Sequence, residues 1–419
     1  MRYGLIGEKL SHSFSPFIHN ALGNLDYSLV EITEDQLQPF LERADFAAIN
    51  VTIPYKKKAA EFCDFLSPEA QKIGCVNTII NRDGILWGYN TDYFGFTYLI
   101  NCLSLDLIGK KVIVLGSGGT SQTVVAVCED LGAKETVIVS RNGMNNYQNL
   151  YNHYDAQVLI NTTPIGMSPL FGESPVDIEP FHSLHVVIEV IYNPLRSALV
   201  LQAKGRGIAY ASGLNMLVAQ AKASQELFFG TRVDDELIEK ISSEIEEKLS
   251  NVVLIGMPGC GKTTVGKELA CQMKMSFCDI DQTIERETQK SVEKIFSEDG
   301  EKVFRDWENR IIKQVCQKSG QVIATGGGSI LNEENASVLA QNGFVVWMKK
   351  EINELSLAGR PLSQSRENLI RMSNERSPLY RRWCDIQIDA TGKKPDEISR
   401  QIIKQRHSIT LCLQKTAPA

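Results

Sequence analysis

The segment Gly256-Met-Pro-Gly-Cys-Gly-Lys-Thr263 follows the apolar run VVLI and leads into the amphipathic stretch TVGKELACQM. This is G-x-x-x-x-G-K-[ST] in the strand–loop–helix setting that the pattern requires. Glycines let backbone N–H groups curl around phosphate oxygens, and the helix N-terminus adds the positive end of its dipole. Lys262 is placed to reach β- and γ-phosphates, and the Thr263 hydroxyl suits Mg²⁺. A nucleoside triphosphate site is therefore expected, with the phosphoryl acceptor left open. Further residues narrow the acceptor. Asp279-Ile-Asp281 ends the apolar run SFCDID. Both carboxylates are expected at a strand's C-terminal end, pointing the same way, one toward Mg²⁺ through water and one toward a substrate hydroxyl. Arg305 stands one helical turn before Glu308, a spacing that is ordinarily a surface ion pair. Gly326-Gly327-Gly328 permits close backbone approach to a ligand. Arg360-Pro361-Leu362 and Glu375-Arg376-Ser-Pro-Leu-Tyr380 flank a polar segment that reads as a lid.

The first half carries a second set of chemical groups. Gly116-Ser117-Gly118-Gly119-Thr120-Ser121 follows KKVIVL and opens a helical pattern. It is G-x-G-G-x-S rather than G-x-G-x-x-G, so a plain tight turn fits it as well as a dinucleotide loop. The next strand ends at Ser140-Arg141 and not at the acidic residue that binds an NAD ribose, which favours a 2′-phosphate and hence NADP. Ser13 and Ser15 lie in SHSFSP, where helix capping is an alternative reading. Asn50-Val-Thr52-Ile-Pro-Tyr-Lys56 runs from an apolar strand into a loop. Asn77-Thr78 and Asn90-Thr-Asp92 bracket a hairpin around Asp83-Gly84. Lys56 and Asp92 each follow polar residues at a strand end, where ligand-binding side chains of α/β sheets sit. A lone lysine or aspartate is otherwise a solvated charge.

Short apolar runs such as YGLIG, AAINVTI, KKVIVLG and HVVIEVI alternate with helical patterns throughout, which implies α/β domains with mainly parallel sheets. The chain's 419 residues exceed what one core holds, so two or three domains are expected. Residues 233–250 break the rhythm: they are charged, with Leu237, Ile241, Ile245 and Leu249 spaced four apart. A connecting helix and a solvated tail helix of the first half fit this pattern equally. At Asn251 the strand–helix rhythm restarts, and SITLCLQKTAPA reads as a loose tail. A net charge of −6 argues against general affinity for nucleic acid or anionic membrane. No apolar run nears the ~18 residues of a membrane helix. The start lacks a signal-peptide pattern. None of the ten cysteines forms C-x-x-C, and His182 and His185 have no further ligand type nearby. Unpaired thiols fit a reducing cytoplasm.

Residues 251–405 resemble shikimate kinase, with its motifs in order. The resemblance implies transfer of the ATP γ-phosphoryl to the 3-hydroxyl of shikimate. It implies a phosphate loop from Gly259, Cys260, Gly261 and Lys262 to Thr263 and Thr264, with Thr263 on Mg²⁺ and Asp279 assisting through water. It makes Asp281 the shikimate-binding carboxylate and best candidate base. Arg305 and Arg376 would hold the carboxylate, helped by the Gly327–Gly328 backbone, and Arg360 would close over the phosphates. A small carboxylic acid suits bidentate arginines.

Residues 1–230 resemble shikimate dehydrogenase through S-H-S-x-S-P, N-V-T-x-P-x-K, V-N-T, N-T-D, the G-x-G-G loop, Tyr192-Asn-Pro194 and Gly213-Leu-Asn-Met-Leu-Val-Ala-Gln220. This resemblance implies reversible NADPH-dependent reduction of 3-dehydroshikimate. Ser13 and Ser15 would hold the carboxylate. Asn50, Thr52, Asn77, Tyr192 and Gln220 would bind ring oxygens, and Lys56 with Asp92 would form the catalytic pair, the proton donor between them left open. NADP would lie on Gly116–Thr120, Ser140, Arg141, Val190 and Gly213. The family's second basic residue in the NADP loop is replaced by Asn145, Glu189 stands where an aspartate is usual, and the segment from Arg141 to Val158 is short.

The combined expectation is a bifunctional enzyme acting on small molecules and using NADP(H), ATP and Mg²⁺, with a homo-oligomer left open. A substrate domain would span 1–100, with 212–232 returning to it. A Rossmann-like NADP domain would span 101–211, a linker helix 233–250, a P-loop kinase domain 251–408 and a tail 409–419. Action on quinate as well, and a non-catalytic metabolite sensor, are the rival readings.

Overall fold

The computed structural model describes residues 2–11, 13–23, 26–168, 172–355 and 366–415. Over the described residues the chain is α/β and builds three sheets. The first contains β1 (Tyr3–Gly7), β2 (Tyr27–Glu31), β3 (Ala48–Val51), β4 (Phe65–Leu66), β5 (Thr78–Arg82) and β6 (Ile85–Tyr89), in the order β2-β1-β3-β5-β6-β4. β1 is parallel to both neighbours, whereas β5 runs antiparallel to β3 and to β6. Asp83 and Gly84 take φ of 55° and 88°, which closes the two-residue hairpin that joins β5 to β6.

The second sheet contains β7 (Lys111–Leu115), β8 (Glu135–Val139), β9 (Val158–Asn161), β10 (Val186–Glu189) and β11 (Ala209–Ala211), all parallel. The short segment between β8 and β9 holds a turn of 3₁₀ helix, Leu150–His153, in place of a full crossover α-helix. The third contains β12 (Asn251–Ile255), β13 (Ser276–Asp279), β14 (Gln321–Ala324), β15 (Gly343–Lys349) and β16 (Ile386–Asp389), parallel in the order β13-β14-β12-β15-β16. Its three central strands β14, β12 and β15 are nearly continuous buried apolar runs, as strands covered on both faces require, whereas the edge strands β13 and β16 are partly exposed.

Two expectations change. The segment after residue 408 is not loose where it is described. Leu411 and Cys412 are buried, and β17 (Leu413–Gln414) pairs antiparallel with β11 of the second sheet. An open strand edge takes up a short apolar segment that supplies the missing hydrogen bonds. The charged stretch forms the helix Glu236–Leu249, but Ile238, Ile241, Ile245 and Leu249 are buried, so it is not a solvated tail helix. Its apolar stripe joins Ile18, Leu195 and Val218 of the first half to Phe344 and Val345 of the third sheet in one continuous core.

Polar contacts reinforce that seam. Arg196 is fully buried, and its guanidinium donates to both carboxylate oxygens of Asp385 at 2.7 and 3.2 Å, to Ala340 O at 3.1 and 2.7 Å and to Gly343 O at 2.5 Å. Lys204 also donates to Asp385. Burial alone would raise the Asp385 carboxyl, but Arg196 and Lys204 outweigh it and hold it at about 2. The folded-state pKa lies below the usual value of 3.8, so this carboxylate stabilises the fold above that pH. The contribution fades as pH falls from 3.8 towards 2. Asp385→Asn leaves Arg196 without its counter-charge and should cost about 3–5 kcal/mol near neutrality. Thermal melts across pH should show the gap between variant and wild type narrowing below pH 4; a gap independent of pH would contradict this assignment.

Candidate active sites

Lys56 begins the short helix Lys56–Ala60, and Asp92 begins the helix Asp92–Cys102. Their side chains meet with Lys56 Nζ 2.6 Å from Asp92 Oδ2, and both are largely shielded from water. Asn77 Nδ2 donates to the other Asp92 oxygen at 2.9 Å, to Thr91 Oγ1 at 3.0 Å and to Gln220 Oε1 at 3.4 Å. Asn77 Oδ1 accepts from Thr91 N at 2.7 Å, which fixes the amide's orientation. Asn50 Nδ2 donates to Asn77 O, Thr78 Oγ1 and Ser224 Oγ at 2.8–3.1 Å. Asn50 Oδ1 accepts from the Tyr27 hydroxyl at 2.7 Å. The Ser15 hydroxyl meets Tyr27 as well, and burial raises that phenol well above its ordinary value. Ser13 Oγ donates to Ser15 Oγ at 3.1 Å. Thr52 follows β3 two residues after Asn50, and Gly7 leaves room for it: a Cβ there would meet the Thr52 methyl at 2.6 Å.

Gln220 comes from the long helix Leu214–Phe229, which packs on Asp92–Cys102. Gly95 permits that approach, since a Cβ at this position would lie 2.7 Å from Met216 O and 3.0 Å from Gln220 Cβ. Tyr192 follows β10 and packs edge-on against Phe14, ring centroids 6.2 Å apart. These groups present a cationic ammonium, fixed by a carboxylate, at the rim of a lattice of amides and hydroxyls. Such an arrangement can hold a ligand rich in hydroxyls and exchange a proton with one of its oxygens.

The glycine loop abuts this cluster. Gly116 has φ of 109°, Gly118 caps the helix Gly119–Asp130, and Ser117 and Gly118 are exposed at its N-terminus. Thr120 lies in its first turn. A Cβ at Gly119 would be 3.9 Å from Lys56 Cβ, so the loop and the Lys56–Asp92 pair share one cleft. Ser140 and the exposed Arg141 begin the turn after β8. Asn145 Oδ1 lies 3.2 Å from His153 Nε2. A Cβ at Gly213 would lie 2.0 Å from Val190 O, so only glycine fits against that strand end. Glu189 is fully buried, and burial lifts its carboxyl to about 8 although Asn161, Ile191 N and Ser197 all donate to it.

In the third sheet the phosphate loop runs from β12 to the helix Lys262–Met273, with Gly256, Gly259 and Gly261 at φ of 145°, 83° and 97°. Lys262 Nζ donates to Gly256 O and Met257 O at 2.9 and 3.0 Å. Cys260 is buried under the loop, and Thr264 is exposed. Thr263 Oγ1 donates to Asp279 Oδ2 at 2.6 Å. Two hard oxygen donors beside a phosphate loop fit Mg²⁺, which keeps waters and phosphate oxygens as its other ligands.

The aspartates depart from expectation. Asp279 ends β13 and caps the helix Ile280–Thr288, whereas Asp281 lies in that helix's first turn. The helix starts two residues earlier than the apolar run suggests. The carboxylates therefore diverge: Asp279 faces Thr263, and Asp281 faces Gly326. A Cβ at Gly326 would meet Asp281 Oδ1 and Glu308 Oε1, each at 2.9 Å; one at Gly327 would meet Pro258 at 2.5 Å; one at Gly328 would meet the Arg305 guanidinium at 2.8 Å. The triple glycine thus gathers the acid, the arginine and the phosphate loop. Arg376 Nη1 and the Tyr380 hydroxyl both donate to Gly327 O, at 2.9 and 2.6 Å. Arg360 and the lid segment as far as residue 365 lie outside the described residues, and the rest of that segment is the start of the helix Arg366–Trp383.

Several supporting residues carried no sequence signal. Ser224 Oγ is a buried junction 2.9 Å from both Thr78 Oγ1 and Thr91 Oγ1. Glu308 is buried and not a surface partner: it accepts from Arg305 at 2.7 Å and from Ser329 Oγ at 2.6 Å. Only its i, i+3 spacing from Arg305 hinted at this. Among the described residues, no helix is long and apolar enough to cross a membrane.

Comparison with known proteins bears on both halves. Residues 5–79 match the family model "Shikimate dehydrogenase substrate binding domain", and residues 258–407 match "Shikimate kinase". The chain is 36% identical over 265 residues to the shikimate dehydrogenase (NADP(+)) of Clostridium perfringens strain SM101, covering 58% of this chain and 98% of that protein. Among solved structures, a chorismate mutase/shikimate 5-dehydrogenase fusion protein from Clostridium acetobutylicum is 35% identical with a TM-score of 0.56, over 59% of this chain and 97% of that one. Shikimate 5-dehydrogenase from Thermus thermophilus, in complex with NADP(H) and shikimate, is 28% identical with a TM-score of 0.53, over 58% and 99%.

Proposed function

Because the chain belongs to the shikimate dehydrogenase family and carries a shikimate kinase domain after that part, we propose that it performs two consecutive reactions. The first is NADPH-dependent reduction of 3-dehydroshikimate. The second is ATP- and Mg²⁺-dependent phosphorylation of the shikimate 3-hydroxyl. The observation that carries the reading is the Lys56–Asp92 pair at 2.6 Å beside the glycine loop, in the same chain as the Asp281–Arg305–Gly326 cluster.

For the reduction, Ser13 and Ser15 take the substrate carboxylate, while Asn50, Thr52, Asn77, Tyr192 and Gln220 orient the ring oxygens. Bound NADPH supplies the hydride. Lys56 stabilises the oxygen as it becomes an alkoxide, and Lys56 and Asp92 together relay the proton it needs. Gly116–Thr120, Val190 and Gly213 line the cofactor side, with Ser140 and Arg141 at its 2′-phosphate. Arg141→Ala should raise the Michaelis constant for NADPH and leave NADH use nearly unchanged. Equal loss with both cofactors would make Arg141 structural.

For the phosphorylation, Gly259–Thr264 hold the phosphates, Thr263 would hold Mg²⁺ directly and Asp279 through water, and Arg305 and Arg376 grip the carboxylate in bidentate fashion. Mg²⁺, when bound, neutralises charge on the phosphates. Asp281 accepts the hydroxyl proton. Reduction creates the hydroxyl that the second step consumes, so phosphorylation draws the reversible step forward. A coupled assay tests this: purified chain with 3-dehydroshikimate, NADPH and Mg-ATP, following NADPH loss and ADP release. ADP release that does not depend on NADPH would break the sequence.

A further inference from the structure

The loop between β10 and the helix Ala198–Gly205 carries Tyr192, and it is clasped from outside by the third sheet. Asn342 Oδ1 accepts from Leu195 N at 2.8 Å, and Asn342 Nδ2 donates to Asn193 Oδ1 at 3.2 Å. Arg196 N donates to Gln341 O at 3.0 Å, and the Arg196 guanidinium is locked on Asp385. Leu195 is fully buried in the core shared with Phe344. From inside, Glu189 accepts from Ile191 N at 3.2 Å and from Ser197 Oγ at 2.9 Å. Asn193, Leu195 and Arg196 thus have hydrogen-bond partners in the kinase part of the chain, while Asn193 O accepts from Ser168 N at 2.9 Å within the first half. Asn342 and Asp385 precede β15 and β16, at the N-terminal edge of that sheet. The phosphate loop follows β12 at the opposite edge, so a change at Asn342 spares the kinase site.

We propose that Asn342 is a positioning residue for the dehydrogenase: it seats the Tyr192 loop, so the kinase part completes the substrate pocket of the other enzyme. The proposal rests on the dehydrogenase reading above, with Tyr192 on the substrate. The relative from Clostridium perfringens is matched over nearly its whole length by 58% of this chain, so such an enzyme must hold its loop by other means.

Arg196 and Asp385 are poor test sites, because cutting a buried ion pair threatens the fold. Asn342→Ala in the full chain removes one acceptor and one donor. Shikimate oxidation with NADP⁺ should show a Michaelis constant for shikimate raised about tenfold, the effect of one lost buried hydrogen bond. The kinase kcat, measured with Mg-ATP and shikimate, should be unchanged and reports an intact fold. Asn342→Asp keeps the acceptor for Leu195 N and should restore most of the affinity. Combined with Tyr192→Phe, Asn342→Ala should add little, because both changes act through one side chain. Unaltered dehydrogenase constants in Asn342→Ala, or fully multiplicative effects in the double variant, would overturn the proposal. Hydrogen exchange of the amides in 190–197 gives an arm independent of turnover: they should exchange faster in Asn342→Ala, and unchanged protection overturns the seat. A wild-type chain that does not oxidise shikimate would overturn the dehydrogenase reading instead, leaving the exchange arm to decide the seat.

Discussion

Lys56→Ala lowers dehydrogenase turnover by ~10²-fold or more, the usual cost of removing one preorganised charge from a developing oxyanion. Lys56 is the cation that directly meets Asp92, and the neutral amide of Asn77 donates to the other oxygen of that carboxylate. Without the ammonium, the alkoxide meets an uncompensated Asp92 and the reaction loses both its electrostatic partner and a proton route. The amide lattice of Asn50, Asn77 and Ser224 does not use Lys56, so the pocket's shape should survive. The loss should therefore fall on kcat, with a smaller change in the Michaelis constant for shikimate. Kinase activity on added shikimate provides the internal control. Reduction near the wild-type rate would refute the assignment of Lys56.

Asp281→Asn should reduce kinase turnover steeply, by ~10²–10⁴-fold, the range supplied by a positioned general base. Asparagine keeps the shape beside Gly326 but cannot take the hydroxyl proton. Affinity for ATP should hardly change, because Thr263 is engaged by Asp279 and not by Asp281. Nucleotide titration alongside steady-state kinetics separates the roles. Collapse of ATP binding with turnover retained would exchange the parts played by the two aspartates. The divergence of their side chains favours the division made here.

Local patterns carried much of this architecture. The alternation of apolar runs and helical stretches located the strands, and Asp83-Gly84 marked the hairpin between β5 and β6. The phosphate loop and Lys56, Asn77 and Asp92 were legible because their chemistry needs particular residue types at strand ends. The first helical turn at Asp281 was not legible, since FCDI suits a strand as well as a helix start. Ser224 and Glu308 were silent because a serine or glutamate on a helix has no pattern that tells burial from exposure. The seam between the halves was silent for a stronger reason. Arg196 is far along the chain from Asn342 and Asp385, and only folding joins them; Asp385 reads as a surface charge until its two cations are seen.

The pairing of β17 with β11 bears on how the protein is made. β11 is complete at Ala211, but its partner is Leu413–Gln414, about 200 residues later in the chain. At ~5–20 residues per second, a ribosome needs roughly 10–40 s to deliver that partner. Throughout that interval the second sheet carries a bare edge, the kind of surface on which nascent chains stick to one another. The final closure of the first enzyme therefore waits for translation of the second. Conditions that stall elongation between residues 211 and 413 should leave polysome-bound chains prone to aggregation through a strand that the finished protein covers.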